Sequence, residues 1–253
     1  MIRADLHCHT SYSHDCFADV AMVLACARQR ALTHLAITDH DTIDGALRAR
    51  DQSRHLAVVV GCEVSLADGA HLIGLFLERR PTAKSAAEVI DEIHAQGGFV
   101  CVPHPFHPRT GLLRATDQLP AGVDAIEACS GYEPPTHNQR AAQMARHRGL
   151  PLLAGSDAHY GVDIGRACVE FPEADGPLTP EVLRRAARTL YTPIADLAAV
   201  HARDAEVRAD TLPRLRQYLP AGVRRLVKRA HWLRVQRQIA AACREPVRKE
   251  FAW

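Results

Sequence analysis

The sequence predicts an α/β fold: a (β/α) barrel slightly smaller than the eight-fold version, with a small helical appendage at its C-terminus. Three observations predict it. Seven short apolar runs, rich in Val, Ile and Leu and with little polar alternation, recur along the chain; strands buried on both faces read this way. Helical stretches lie between most of them. The residues just after the runs are repeatedly His, Asp or Glu, at the strand ends where barrels build their reacting sites.

The runs are Ile2–Leu6, His34–Thr38, Ala57–Val64, His71–Leu77, Gly98–Val102, Val123–Cys129 and Pro151–Ala154. Between the first two, residues 17–31 place Val20, Leu24, Ala27 and Ala31 at helical spacing. Ser85 and Glu88 form a capping box ahead of Val89, Ile90 and Ile93, and Gly97-Gly98 stops that helix. Asn138–Arg148 reads as a helix ended by Gly149. Thr179-Pro180-Glu181 opens a later one, with Pro in the first turn. Residues 201–253 read as two or three basic helices around a break at Leu219-Pro220. A doubly wound open sheet is the alternative architecture, but no glycine-rich GxGxxG turn supports it.

The 253 residues suit one large domain, expected at 1–200, with an extension at 201–253. Hydrophobic and charged fractions of 47% and 24% are ordinary for a globular protein and argue against disorder throughout. No apolar run approaches the roughly 20 residues of a membrane span, and MIRADLHCHT has no secretory h-region. The eight cysteines include no CxxC pair, so reduced thiols in a cytoplasmic protein are expected rather than disulfides or a cysteine zinc site. Charge is uneven. Residues 201–253 carry 13 Lys/Arg against 5 Asp/Glu, whereas residues 1–200 carry 18 against 24. A basic segment of this kind fits nucleic acid, an acidic partner or simply a solvated helical face.

The unusual number is 15 histidines. The first run ends in Asp5-Leu6-His7-Cys8-His9-Thr10, and an HxH on extended backbone turns both imidazoles to one side. Thr38-Asp39-His40-Asp41 follows the second run and Gly61-Cys62-Glu63 lies in the third. His71 opens the fourth, Pro103-His104-Pro105 follows the fifth, and Gly155-Ser156-Asp157-Ala158-His159 follows the seventh. Asp15 comes shortly after the first motif. Each alone has a structural reading: Asp15 or Asp41 could cap the next helix, and Glu63 could pair with an arginine. Together, six histidines and three carboxylates are too many for one ion. They suit two or three ions sharing a carboxylate, and the mixed donors favour Zn, Mn or Fe over Ca or Mg.

These motifs resemble those of the PHP (polymerase and histidinol phosphatase) superfamily, over roughly residues 1–170, and residues 161–195 resemble a segment that often follows its core. The resemblance implies a distorted (β/α)7 TIM-like barrel and a metal-dependent phosphoesterase of the stand-alone type. It places His7, His9, Glu63 and Asp157 on one ion. Glu63, His71 and His104 fall on a second, with Glu63 bridging, and Asp15, His40 and His159 on a third. Where the family often has Ser-Asp-Gly, this chain has Ser13-His14-Asp15-Cys16, so either His14 or Asp15 could be the ligand, with Asp15 preferred. Ser130 stands where an Asn is common, and only 32 residues separate His71 from His104, too few for a sizeable cap domain.

The implied chemistry is attack on phosphorus by a metal-bridging hydroxide. Asp157 belongs to that centre, and His40 or His159 is the candidate acid for the leaving oxygen if the third site is empty. Arg166 and Arg109 are candidates to hold the phosphate through guanidinium forks, with His107 a weaker one. His34, His55, His94, His137, His147, His201 and His231 read as structural or exposed. The expected substrate is a phosphorylated small metabolite or nucleotide. A nuclease that uses the basic segment is the second reading. A metal-binding module without activity is the third, and the complete ligand set speaks against it.

Overall fold

The computed structural model describes residues 1–172, 174, 176–185 and 188–191, with 222–223, 226–227, 229–230, 233–234 and 249–250. The chain divides into two compact units, Met1–Thr192 with Arg248–Trp253, and Pro193–Val247. The described residues between 222 and 234 are helical; the rest of the expected basic helices lie outside the described residues.

The first unit is built in order from β1 (Ile2–Asp5), α1 (Val20–Gln29), β2 (His34–Ile37), α2 (Asp44–Gln52), β3 (Ala57–Ser65), β4 (His71–Leu75), α3 (Ala86–His94), β5 (Phe99–Val102) and β6 (Ala125–Ser130). It continues through α4 (Pro135–Arg148), β7 (Leu152–Gly155), β8 (Ala167–Phe171), α5 (Pro180–Leu183), β9 (Arg188–Tyr191) and β10 (Lys249–Glu250). All seven expected runs are strands. Their sheet runs β10-β9-β8-β1-β2-β3-β4-β5-β6-β7. It curls so far that Cys8, just past β1, forms a parallel bridge with Ala158, just past β7. The eight strands from β8 round to β7 thus make a nearly closed barrel. Its interior is filled by residues such as Leu6, Ile73, Leu75, Phe99 and Val169, all nearly inaccessible.

Two departures from a regular barrel matter. β4 pairs antiparallel with both β3 and β5, with Ser65 opposite His71. A reversed strand begins at the rim where its parallel neighbours end, so the first residue of β4 joins the same end as the last residues of β1 and β2. Second, β8 and β9 were not expected. β8 adds antiparallel to β1, pairing Phe171 with Ile2, and β9 adds antiparallel to β8, pairing Tyr191 with Ala167.

The caps also sort the acidic residues. Ser85 accepts from Glu88 N at the start of α3, as the capping box predicts, and Thr179 caps α5. α1 is capped by Asp19, not Asp15, and α2 has no side-chain cap. Asp41 instead accepts from Ser65 N at 3.1 Å and from Lys84 at 3.0 Å. Asp15 is thereby released for the site. His34 is structural: its Nε2 accepts from Leu178 N at 3.2 Å.

Candidate metal centre

All nine expected ligands converge at the C-terminal rim of the barrel. His7 and His9 follow β1, His40 follows β2, His104 follows β5, and Asp157 and His159 follow β7. Glu63 lies within β3 and His71 at the reversed start of β4. Glu63 is the hub. Its Oε1 is 2.8 Å from His71 Nδ1 and 2.9 Å from His104 Nε2. Its Oε2 is 3.3 Å from His9 Nε2 and from His40 Nδ1, and 3.4 Å from His7 Nε2.

Three groups of ligand atoms fall within 4.8 Å of one another: His7, His9, Glu63 and Asp157; His9, Asp15, His40 and His159; and His40, Glu63 and His71. The first matches the expected set. The second adds His9 to the expected third set, and the last exchanges His104 for His40. Asp15 Oδ2 lies 3.1 Å from His159 Nε2 and 3.3 Å from His40 Nε2. His14 is exposed, its ring 5.0 Å from that of His40. Of the two alternatives, the structure brings Asp15 into the cluster.

The arrangement fits cations. His7 Nε2 and His9 Nε2 are 3.1 Å apart, with Asp157 Oδ1 3.3 Å and 3.2 Å from them. The Nδ1 of His7 faces Glu127, 3.1 Å away. A neutral ring that donates there carries its free lone pair into the cluster, where a positive charge must sit between the nitrogens. Asp15 Oδ1 and His104 Nδ1 are buried without a hydrogen-bond partner among the described residues. Buried polar atoms are rarely left so, and an ion held by Asp15 would satisfy its Oδ1; His104 meets the cluster through Nε2, so its Nδ1 is not explained in this way.

The electrostatics agree. Burial works against charge on every group, but the crowding of opposite charges outweighs it. Hydrogen bonds from His159 and His40 hold Asp15 well below the usual carboxylate range. The charges of His40, His7 and His71 do the same for Glu63. Hydrogen bonds to Asp157 and Glu63 carry His9 up to about 10. The described cysteines are free, and burial pushes Cys62 up to about 12 and Cys168 to about 11, so thiolate ligation is not favoured.

Several supporting residues escaped the sequence reading. Glu127 Oε2 accepts from His104 N at 2.8 Å while Oε1 faces His7. Asp5 accepts from Ser156 N and Gly165 N, both at 2.8 Å, tying β1 to the strand-end motif after β7. Asp39 takes Thr10 N at 2.6 Å and Thr10 Oγ1 at 2.7 Å. Ser13 Oγ accepts from His40 N at 3.0 Å and lies 3.2 Å from His9 Nδ1. Asp41, His104 and Asp157 have φ of 53°, 26° and 52°, strained values for non-glycine residues that only a well-braced rim can hold. The one available signal was that Asp5, Asp39 and Glu127 are acidic within apolar runs or next to ligands.

The arginines separate. Arg109 is exposed on the loop after β5. Arg166 is 4% exposed; its Nε donates to Val162 O at 3.2 Å and lies 3.3 Å from Asp163 Oδ1. The Nε edge of the guanidinium is thus turned to its own loop, which does not favour the expected phosphate contact. Asp163 in turn accepts from the Tyr132 hydroxyl, whose ring packs edge-on against His159 at 6.1 Å.

Comparison with known proteins agrees with this geometry. The sequence matches the PHP domain family over residues 5–128 and the PHP-associated family over residues 135–189. An uncharacterized protein of Methanocaldococcus jannaschii is 35% identical over 146 residues, covering 52% of this chain and 83% of that one. The crystal structure of PsfC from Pseudomonas syringae PB-5123 superposes with a TM-score of 0.60 at 21% identity, covering 84% of this chain and 100% of that one. A two-domain protein from Bacteroides vulgatus, containing a predicted PHP-like metal-dependent phosphoesterase, gives 0.57 at 17% identity, covering 66% of this chain and 57% of that one. No helix among the described residues is long and apolar enough to cross a membrane. With its rim of imidazoles and carboxylates at the strand ends and both family segments in order, the chain belongs to the PHP family.

Proposed function

We propose that this protein is a metal-dependent phosphoesterase, hydrolysing a phosphate ester of a small metabolite or nucleotide. The observation that carries the reading is Glu63: five histidines from three strand ends and a strand start stand within 3.4 Å of its two carboxylate oxygens. A carboxylate placed so is suited to share divalent ions. His7, His9, Glu63 and Asp157 would hold one, Glu63, His71 and His104 a second, and Asp15, His40 and His159 a third. Manganese, zinc and iron all suit these donors. Such ions, when bound, bring a water's pKa towards neutrality and neutralise phosphoryl oxygens.

The chain's own residues do the rest. Asp157 and Glu63 draw positive charge to the buried centre. His159 donates from Nδ1 to Asp157 O at 2.8 Å, which turns Nε2 towards Asp15. Where the third position holds no ion, a protonated His159 can pass its Nε2 proton to the leaving oxygen, as can His40 beside it. The exposed Arg109 stands ready for a phosphate oxygen. The domain of the Bacteroides vulgatus relative carries a name for the same chemistry.

The test is to load the protein with manganese and assay a panel of phosphate esters. Hydrolysis that disappears in His9→Ala and Asp157→Ala supports the reading; activity that survives both overturns it. The 13 basic residues at 201–253 favour a second reading, a nuclease trimming RNA or DNA ends from a barrel of residues 1–200. It predicts oligonucleotide binding that weakens steeply with salt, and turnover of oligonucleotides but not of small esters that falls on deletion of 201–253.

A further inference from the structure

The loop after β5 is wound tightly at the rim. His107 N donates to His104 O and Gly111 N to His107 O, each at 2.9 Å, and Leu113 N donates to Pro105 O at 2.8 Å. A Cβ on Gly111 would lie 2.4 Å from Pro105 O and 2.6 Å from His107 N, so glycine is required for this winding. The loop is docked on a ligand strand, because Thr110 O accepts from His71 N at 3.0 Å.

Inside it, Thr110 fixes the state of His107. Thr110 N–H points at His107 Nδ1 from 3.2 Å, and Thr110 Oγ1 is 2.7 Å from the same atom. A backbone N–H can only donate, so Nδ1 must accept. The proton of the neutral ring is then on Nε2. That N–H has no acceptor among the described residues. The ring is half-buried, its centroid 5.6 Å from that of His104, which touches Glu63. An unused, oriented donor beside the metal centre matches what phosphate oxygens need, since they accept and cannot donate.

We propose that His107 is a substrate-contact residue whose Nε2–H donates to a non-bridging phosphate oxygen on the Glu63–His71–His104 side of the site, with Thr110 as the positioning residue that fixes its tautomer. Arg109 stands at the outer edge of the same loop. The inference rests on the phosphoesterase reading and names one of that site's substrate contacts.

The experiment uses the full chain loaded with manganese, with inorganic phosphate and p-nitrophenyl phosphate as probes. His107→Phe, which removes the donor at similar size, should weaken phosphate binding and raise KM by roughly 10–100-fold, the range for a hydrogen bond to a charged group, while manganese content stays at the wild-type level. His107→Gln, whose amide nitrogen can reach the position of Nε2, should recover most of the loss. Thr110→Val, which removes the hydroxyl's bond to Nδ1 but keeps the backbone one, should raise KM less than His107→Phe does, with little change in kcat, and Thr110→Ser should restore it. Nitrogen NMR of histidine-labelled wild-type protein should show His107 protonated on Nε2. Protonation on Nδ1, or unchanged phosphate affinity in manganese-loaded His107→Phe, overturns the proposal. In that case wild-type hydrolysis abolished by Asp157→Ala would leave the phosphoesterase reading standing. Absence of both phosphate binding and hydrolysis in the loaded wild type would sink both.

Discussion

The Glu127 carboxylate faces Nδ1 of His7 at 3.1 Å. With its other oxygen it accepts from the backbone of His104, so one buried side chain braces two ligands that come from different strands. Partners of this kind fix ring orientation and raise ligand basicity. Replacing Glu127 with Gln should lower metal affinity by about 10–100-fold while leaving the fold intact. Metal titration followed by elemental analysis, with circular dichroism as the fold control, measures this. Unchanged affinity would leave Glu127 without a part in the metal centre.

Glu63 and Asp15 should differ sharply. Glu63→Gln touches every shared position and should cut phosphoesterase turnover by on the order of 10³-fold or more, with loss of more than one equivalent of metal. Asp15→Asn, at the edge beside His40 and His159, should release one equivalent and reduce turnover less. Metal stoichiometry and single-turnover rates on each variant separate the two.

Stability in chelator should follow the crowded charges. The raised His9 keeps its proton in the folded state where the unfolded chain, near 6.5, releases it. That contribution is full below about pH 6.5 and is lost as the pH climbs through about 10. Glu63 and Asp15 act in the opposite sense: their contribution is present above the ordinary values of 4.5 and 3.8 and is lost on acidification. Stripped of metal, the protein should therefore melt highest between about pH 4.5 and 6.5. Cations replace those protons, so metal affinity should rise with pH and binding should release protons into the buffer. Melting curves with and without manganese, and calorimetry in buffers of different ionisation heat, check both signs.

Gly155 ends β7 against the first ligand. A Cβ there would sit 2.3 Å from His7 Cβ and 2.7 Å from Glu127 Oε1. Gly155→Ala must push His7 off its position, costing about 1–3 kcal/mol in stability and, with it, tight metal binding. Chemical denaturation and metal titration should move together; a normal metal affinity would mean the rim yields more easily than its packing implies.

Arg166 provides a contrast. Its guanidinium is buried beside Asp163, and removing one partner of a buried pair typically costs about 3–5 kcal/mol. Arg166→Met should thus lower the melting temperature strongly while KM for a phosphate ester, measured well below that temperature, barely changes. A large KM effect with normal stability would restore Arg166 as a phosphate contact.

By itself the sequence determined the seven strand runs, the barrel class and the nine candidate ligands that converge at the rim. These follow from local patterns: apolar runs of strand length, HxH spacing that turns two imidazoles to one side, and acidic or imidazole residues placed just past strand ends. Tertiary structure alone decided the rest. The reversal of β4 explains why His71, at a strand's beginning, meets Glu63. β8 completes the barrel beside β1, and β9 pairs on its outer edge, neither of them among the runs expected from the sequence. Glu127 and Thr110 acquired their parts from partners far along the chain or across a loop, and Arg166 was buried beside Asp163. The physical reason is that a side chain's position on its strand is set locally, whereas its hydrogen-bond partner, its burial and therefore its chemistry are set by which distant backbone the closed sheet brings beside it.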